Sequence, residues 1–235
     1  MNRRLFGSVA LVTLLFAQPG PAAGENVRTY EVTISNMTDA QWFTPAVVVT
    51  HRGAVDLFTV GRPASFEVKE VAENGNIGPL VDLASSNRHV WDTQVVLGTS
   101  GPPPIAPGTS VTFEISSADG AIFLSWVSML ICTNDGFTGL DSVLLPVRIG
   151  ETVTFDTVGY DAGTEVNTEA WEDLVPPCAM LTGFGDQGGT GMSNPALAED
   201  GVIHKHDGIS GTADLDADIH GWSNPVASVE VTRSR

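Results

Sequence analysis

Residues 121–137 read AIFLSWVSMLICTNDGF, an apolar run that passes directly into a polar turn. Because residues 121–131 are aliphatic and aromatic almost throughout, they are the natural central strand of a sheet. Residues 45–51, with three consecutive valines, have the character of a second buried strand. Residues 30–36 alternate like a strand with one buried face. The pattern around the central run therefore predicts a β-rich core.

Elsewhere in the chain, strand patterns outnumber helical ones. A helix is predicted over 65–74, where Ser65 is a suitable N-cap and Gly75 ends the run, and a shorter one over 79–86. Residues 182–224 are rich in Gly, Asn and Asp and are expected to form a long loop region. Further strands are expected at 110–115, 141–148, 151–158 and 226–232. Together these elements predict an all-β fold, an antiparallel β-sandwich with a small helical insert.

The composition of the chain limits the fold classes and the kinds of binding partner that are expected. With 25 Gly and 14 Pro among 235 residues, it suits short strands joined by many turns, and 42% hydrophobic residues are enough for a core. Charged residues make up only 17%, which excludes a coiled coil. Lys and Arg number 11 against 28 Asp and Glu, a formal net charge of -17. Because binding to nucleic acid needs an excess of basic side chains, we expect no nucleic-acid partner.

Residues 1–24 have the pattern of an export signal. Arg3 and Arg4 precede an apolar run, and small residues follow it. A transmembrane helix needs about 20 apolar residues, so an uncleaved anchor is the weaker alternative. We expect a signal peptide over 1–24 and a single domain over 25–235, with no integral membrane span after cleavage. The mature protein is then secreted, periplasmic or held at the cell surface.

Export changes the expected state of the two cysteines. In an oxidising compartment, Cys132 and Cys178 are expected to pair, closing a loop of about 45 residues. Such a crosslink stabilises the fold by about 3–4 kcal/mol in the chain-entropy model. The alternative is two free thiols or two metal thiolates, but no CxxC spacing supports a metal. We therefore expect a disulfide.

A second class of function, an extracytoplasmic hydrolase or zinc-dependent enzyme, stays open from the sequence. The chain has no GxSxG, HExxH or Walker motif. Support for an enzyme is confined to a glycine-rich loop with His204, His206 and Asp207, where the two histidines are able to ligate zinc if His220 supplies a third ligand. A histidine pair on a surface loop is the commoner arrangement, so we expect no enzymatic activity.

Three carboxylates follow the ends of predicted strands. Asp135 comes just past the central run, and Asp161 and Glu165 lie in the loop of a later strand, with Gly163 between them. If the two strands are neighbours, all three acids meet at one end of the sandwich. Oxygen ligands without a Cys or His cluster suit calcium, which takes 6–8 oxygens in a loose geometry. The alternative is that these acids cap turns and face solvent.

The same segments resemble the spondin domain family, the F-spondin-like domains of exported proteins. The resemblance rests on SML at 128–130, NDGF at 134–137, GLDS at 139–142 and DAGTE at 161–165, and it extends over about 29–233. It implies a β-sandwich with a calcium site whose acids fall on Asp135, Asp161 and Glu165. Position 165 is Glu where the animal pattern has Asp, a difference of one methylene that calcium tolerates.

The resemblance also bounds the expected function. Asn134 and Gly136 stand where animal members have Pro and Trp, so partner contacts of those side chains do not carry over. The thrombospondin repeats of the longer family members are absent from this chain. We expect an exported calcium-binding protein, a non-catalytic module for binding, adhesion or an extracellular matrix. Its ligand is expected to be a protein or glycan outside the cytoplasm.

Overall fold

The computed structural model describes residues 26–99, 101, 103–118, 120–186 and 189–235. The expected signal peptide at 1–24 lies outside the described residues and stays a prediction. The strands are β1 (Arg28–Asn36), β2 (Ala46–His51), β3 (Val90–Val96), β4 (Ser110–Ser117), β5 (Phe123–Met129), β6 (Gly136–Leu144), β7 (Thr152–Thr157), β8 (Gly159–Asp161), β9 (His204–Lys205) and β10 (Ala227–Arg233). The helices are α1 (Phe66–Asn74), α2 (Gly78–Ser86), α3 (Pro177–Thr182) and α4 (Ala217–His220), with a 3-10 turn at Trp171–Asp173.

The strands form two antiparallel sheets, which confirms the predicted all-β sandwich. One sheet has four strands in the order β4-β1-β10-β7, and the other has six in the order β3-β2-β5-β6-β8-β9. β5 lies inside the six-stranded sheet between β2 and β6, as its apolar run predicts. Within the described ranges, no helix is long and apolar enough to cross a membrane.

The six-stranded sheet is covered on both faces, which explains its uninterrupted apolar runs. Val48 and Trp126 lie in the core between the two sheets. Val47 and Val127 point the opposite way, into a second core shared with α1 and α2. All six residues of β2 are therefore buried. A strand exposed on one face would alternate with polar residues, and β1 does so at its solvent positions.

The helical insert forms where the sequence predicts it. Ser65 Oγ accepts a hydrogen bond from Val68 N at 3.2 Å and caps α1. Gly75 ends the helix in the left-handed conformation, with φ 62°. The predicted helix at 79–86 is also confirmed, as α2.

The structure differs from the predictions at β3, at the bounds of β6 and in the region 182–224. β3 was not predicted, and β6 begins at Gly136 rather than at 141 and ends before 145. Small residues start β6 because a neighbour approaches closely: a Cβ on Gly139 would lie 2.2 Å from the Trp126 carbonyl oxygen. The expected loop at 182–224 contains β9 and α4.

Candidate metal centre

The pairing of β6 with β8 brings the first two predicted acids together. Asp135 immediately precedes β6, and in the antiparallel register Gly136 lies opposite Asp161. Ala162 N also donates a hydrogen bond to the Asp135 carbonyl oxygen at 3.2 Å. Both acidic residues are buried. The condition set by the sequence, that the two strands are neighbours, is therefore met.

The Asp135 carboxylate is satisfied on one oxygen only. Its Oδ2 accepts hydrogen bonds from Thr164 N at 2.8 Å, Thr164 Oγ1 at 3.2 Å and Glu165 N at 3.1 Å. Its Oδ1 is buried and accepts no hydrogen bond from the described residues. Burial, together with the charge of Asp161, raises the pKa of Asp135 to about 6. A buried carboxylate with one unpaired oxygen is costly unless something neutralises it.

Asp161 is held by the turn that follows it. Its Oδ1 accepts a hydrogen bond from Gly163 N at 2.7 Å, and its Oδ2 accepts one from Asn167 Nδ2 at 2.6 Å. Gly163 adopts φ 67°, and a Cβ there would lie 2.6 Å from Val202 N. Both the left-handed conformation and the close approach therefore require glycine in this turn.

Glu165, the third predicted acid, is buried next to them but its side chain turns toward another segment. Its Oε1 accepts a hydrogen bond from Asn194 N at 3.0 Å. Burial raises the pKa of Glu165 to about 7; the Asn194 hydrogen bond opposes this, and the charges of Glu73, Asp135 and Asp173 add to it. Burial and neighbouring negative charge therefore raise the pKa values of both Asp135 and Glu165.

Glu73 is a further buried acid close enough to raise the pKa of Glu165, and the sequence does not predict it. It lies near the end of α1, its side chain is 1% exposed, and its Oε1 is 3.6 Å from Lys69 Nζ. Neither of its oxygens has a hydrogen-bond partner among the described residues. The only sequence signal is its place next to Ala72 on the buried side of α1. Its approach to Glu165 depends on tertiary packing.

The three predicted acids lie at one end of the sandwich, but their side chains are not arranged as a finished cage. Within the part of the chain that the structure describes, no group of three or more His, Cys, Asp and Glu residues is placed to hold a metal ion. Asp161 instead accepts hydrogen bonds from N–H groups on both carboxylate oxygens, and Glu165 accepts one on its Oε1. Their chemistry, buried carboxylate oxygens with one left unpaired, nonetheless fits a hard cation.

The predicted disulfide is confirmed and lies beside the centre. Cys132 and Cys178 are bonded, with Cα atoms 5.1 Å apart. Cys132 belongs to the turn between β5 and β6 that carries Asp135, and Cys178 is in α3. Gln41 holds the same turn, because its Oε1 accepts a hydrogen bond from Cys132 N at 3.1 Å. The turn is therefore fixed from two sides.

The three histidines of the alternative zinc site, His204, His206 and His220, lie in different environments. His204 is largely exposed, with Nδ1 3.7 Å from Asp161 Oδ1. His206 is buried with its ring edge-on to Trp222, at a centroid distance of 5.0 Å, and burial lowers its pKa. His220 is buried against Trp171, at 5.5 Å. The described residues do not place the three around a common metal position.

A buried serine–histidine contact lies at the opposite end of β5. His51 Nε2 is 2.7 Å from Ser125 Oγ, which donates to Asp141 Oδ1 at 3.2 Å. Asp141 also accepts from Leu57 N at 2.7 Å. His51 and Ser125 are both 0% exposed, and the aspartate contacts the serine rather than the histidine. This arrangement differs from a catalytic triad, and it holds the register shift between β5 and β6.

A family model gives an independent comparison. The model of the family described as Spondin_N matches residues 30–171, more than half of the chain. No curated protein matches the chain. The matched range contains Asp135, Asp161 and Glu165 but ends before Cys178 and before β10, the strand between β1 and β7.

Proposed function

The chain belongs to the spondin N-terminal domain family, and from that premise we propose that it is an exported, non-catalytic binding module whose acidic end binds calcium. The family is of extracellular type, and the disulfide suits an oxidising compartment. Cleavage of residues 1–24 and release outside the cytoplasm are part of this proposal.

One observation carries the calcium proposal: the buried, unpaired Oδ1 of Asp135. Asp135, Asp161 and Glu165 are the residues that would hold the ion, with the remaining positions filled by carbonyl oxygens or water. When bound, calcium supplies positive charge next to Asp135 and Glu165, whose pKa values are raised by burial and by neighbouring carboxylates. On calcium binding, Glu165 Oε1 would give up the hydrogen bond that it accepts from Asn194 N and contact the ion instead.

The proposed role of calcium is to fix the loops that carry recognition. The turn between β5 and β6 and the loop from Asp161 to Glu165 contact each other through Asp135. Loops held on a rigid sandwich are a common place for binding residues. We propose that the partner is a protein or glycan outside the cytoplasm, and that no reaction is catalysed at this end.

Thermal unfolding with calcium and with a chelator tests the proposal. Calcium that binds only the folded state raises the melting temperature by mass action. Asp135→Asn keeps the shape and removes the charge, so the variant is expected to fold and to lose the calcium effect. Asp156→Asn, an exposed acid on β7, is the matched control and should keep it. Equal melting temperatures with calcium and with chelator for the unmodified protein would rule the site out.

A further inference from the structure

The end of the sandwich opposite the acidic centre collects most of the basic residues. Beyond the predicted leader the chain has nine Lys and Arg, since Arg3 and Arg4 belong to the 11 in total. Strand register places six of the nine at this end, where β1, β3 and β5 begin and β2, β4, β6 and β10 finish. They are Arg28, Arg52, Arg88, Arg148, Arg233 and Arg235.

Exposed aliphatic side chains lie among these arginines. Val147 and Ile149, in the connection from β6 to β7, are 73% and 69% exposed. Leu144, the last residue of β6, is 60% exposed, and Ile122 is 39% exposed. Leu145 N donates to the Ile122 carbonyl oxygen at 2.9 Å, which joins the two segments. We call these four aliphatic residues and the six arginines the basic–aliphatic end.

Arg233 is attached to the same connection. The Arg233 guanidinium donates to the Val147 carbonyl oxygen, and Gly150 N donates to the Arg233 carbonyl oxygen at 2.8 Å. Neither Arg52 nor Arg148 forms an ion pair with an Asp or Glu that the structure describes. Glu151 lies nearby: its carboxylate accepts hydrogen bonds from the N–H groups of Arg148 and Val147, and the charge of Arg148 also helps to lower its pKa. Arg52, which is exposed and forms no ion pair with a described Asp or Glu, therefore leaves positive charge available to a partner.

We propose that the basic–aliphatic end binds an anionic lipid surface. A chain with a net charge of -17 is repelled by such a surface unless it presents a basic end. Arginine matches phosphate oxygens in pairs of hydrogen bonds, and short aliphatic groups beside it enter the apolar layer below the headgroups.

Vesicle flotation in the presence of a chelator tests this proposal independently of calcium. The mature protein is mixed with vesicles of phosphatidylglycerol and phosphatidylcholine, or of phosphatidylcholine alone. It is expected to float with the anionic vesicles only. Val147→Ser with Ile149→Ser should weaken binding about tenfold or more, since each removes an aliphatic group from the membrane contact. Arg148→Glu should weaken it by a similar factor.

Matched controls at other surfaces separate lipid binding from general effects. Val60→Ser removes an aliphatic group that is 54% exposed, and Arg62→Glu reverses a charge outside the basic–aliphatic end. Both should bind like the unmodified protein, and melting temperatures should show that every variant is folded. No flotation with anionic vesicles, or equal flotation of Val147→Ser/Ile149→Ser, would overturn the proposal. Self-association that this double variant abolishes, without lipid binding, would assign the end to a second copy of the chain.

Discussion

Asp135 shows how a single residue links the fold to the proposed function. Its Oδ2 ties together Thr164 and Glu165, so the carboxylate organises the loop of the other two acids even without an ion. Its Oδ1 is buried and has no hydrogen-bond partner among the described residues. Hydrogen bonds to only one side of a buried carboxylate are not enough to keep it ionised at low cost, and its pKa is raised accordingly.

The raised pKa values predict that calcium affinity depends on pH. Calcium binds the ionised carboxylates, so protons compete with it below the pKa of about 6 for Asp135 and about 7 for Glu165. We expect calcium affinity measured by calorimetry to fall steadily as the pH is lowered from above 7 to below 6.

The same two groups predict the opposite trend for the metal-free protein. Because their folded-state pKa values are raised, their contribution to stability is fully present below the ordinary values of 3.8 and 4.5 and is lost as pH rises through about 6 and 7. For the calcium titration, an affinity that does not change as the pH is lowered from above 7 to below 6 would contradict the assignment of Asp135 and Glu165 as calcium ligands.

A further prediction concerns the stability cost of replacing the single residue Gly163. Gly163→Ala places a Cβ against the Val202 backbone in a conformation with φ 67°, and should cost about 1–3 kcal/mol for the backbone strain alone. Gly183→Ala is the matched control, since Gly183 has φ 71° with no atom within 4 Å of an added Cβ. Urea unfolding should show a larger loss for Gly163→Ala. Equal losses would mean that the close approach to Val202 is unimportant.

At the scale of elements, the disulfide joins α3 to the turn that carries Asp135. Replacing both Cys132 and Cys178 by Ala is expected to lower the free energy of unfolding by about 3–4 kcal/mol, because the unfolded chain regains the freedom of the closed loop. Urea unfolding measures this loss. A reductant should destabilise the unmodified protein and leave the double variant unchanged; an equal response of the two would contradict the prediction.

The contact between β2, β5 and β6 gives another element-scale prediction. Ser125 Oγ accepts a hydrogen bond from Ser142 N at 2.7 Å while contacting His51 and Asp141. Ser125→Ala removes the hydrogen-bond partner of the buried His51 Nε2 and of Ser142 N, and should cost about 1–3 kcal/mol in urea unfolding. Ser228→Ala, on the half-buried surface of β10, is the control and should cost less. A loss no larger than that of the control would contradict a role in holding the strands.

Some elements were predictable because their signals are local. α1 has its N-cap Ser65 and its terminal Gly75, and β5 is an apolar run with both faces covered. β3 has residues that are half-buried almost throughout, so it shows neither alternation nor an apolar run. The start of β6 was missed because Gly139 reflects the approach of Trp126, which only the folded sheet reveals.

At the scale of the whole molecule, the proximity of the three acids was predictable, while their role as calcium ligands stays a proposal. Asp135, Asp161 and Glu165 lie near one another because acids at strand ends meet when the strands pair. Glu73 and Asn194 approach Glu165 from distant parts of the chain, and no local pattern marks them. The family match ends at 171, yet β10 is needed to join β1 to β7. The later part of the chain therefore completes the fold.

Charge is distributed unevenly over the molecule. Buried acids gather where β6 and β8 meet, and the arginines gather where β10 ends. β5, which runs between the two ends, has 7 residues and therefore spans about 20 Å. The two proposed activities, calcium binding at one end and lipid binding at the other, can thus be tested separately.

Calorimetric titration of the metal-free protein with calcium tests the central claim most directly. We predict saturable binding by the unmodified protein and by Asp156→Asn, and its loss in Asp135→Asn. Absence of binding by the unmodified protein, or undiminished binding by Asp135→Asn, would contradict a calcium site built on the buried Oδ1 of Asp135.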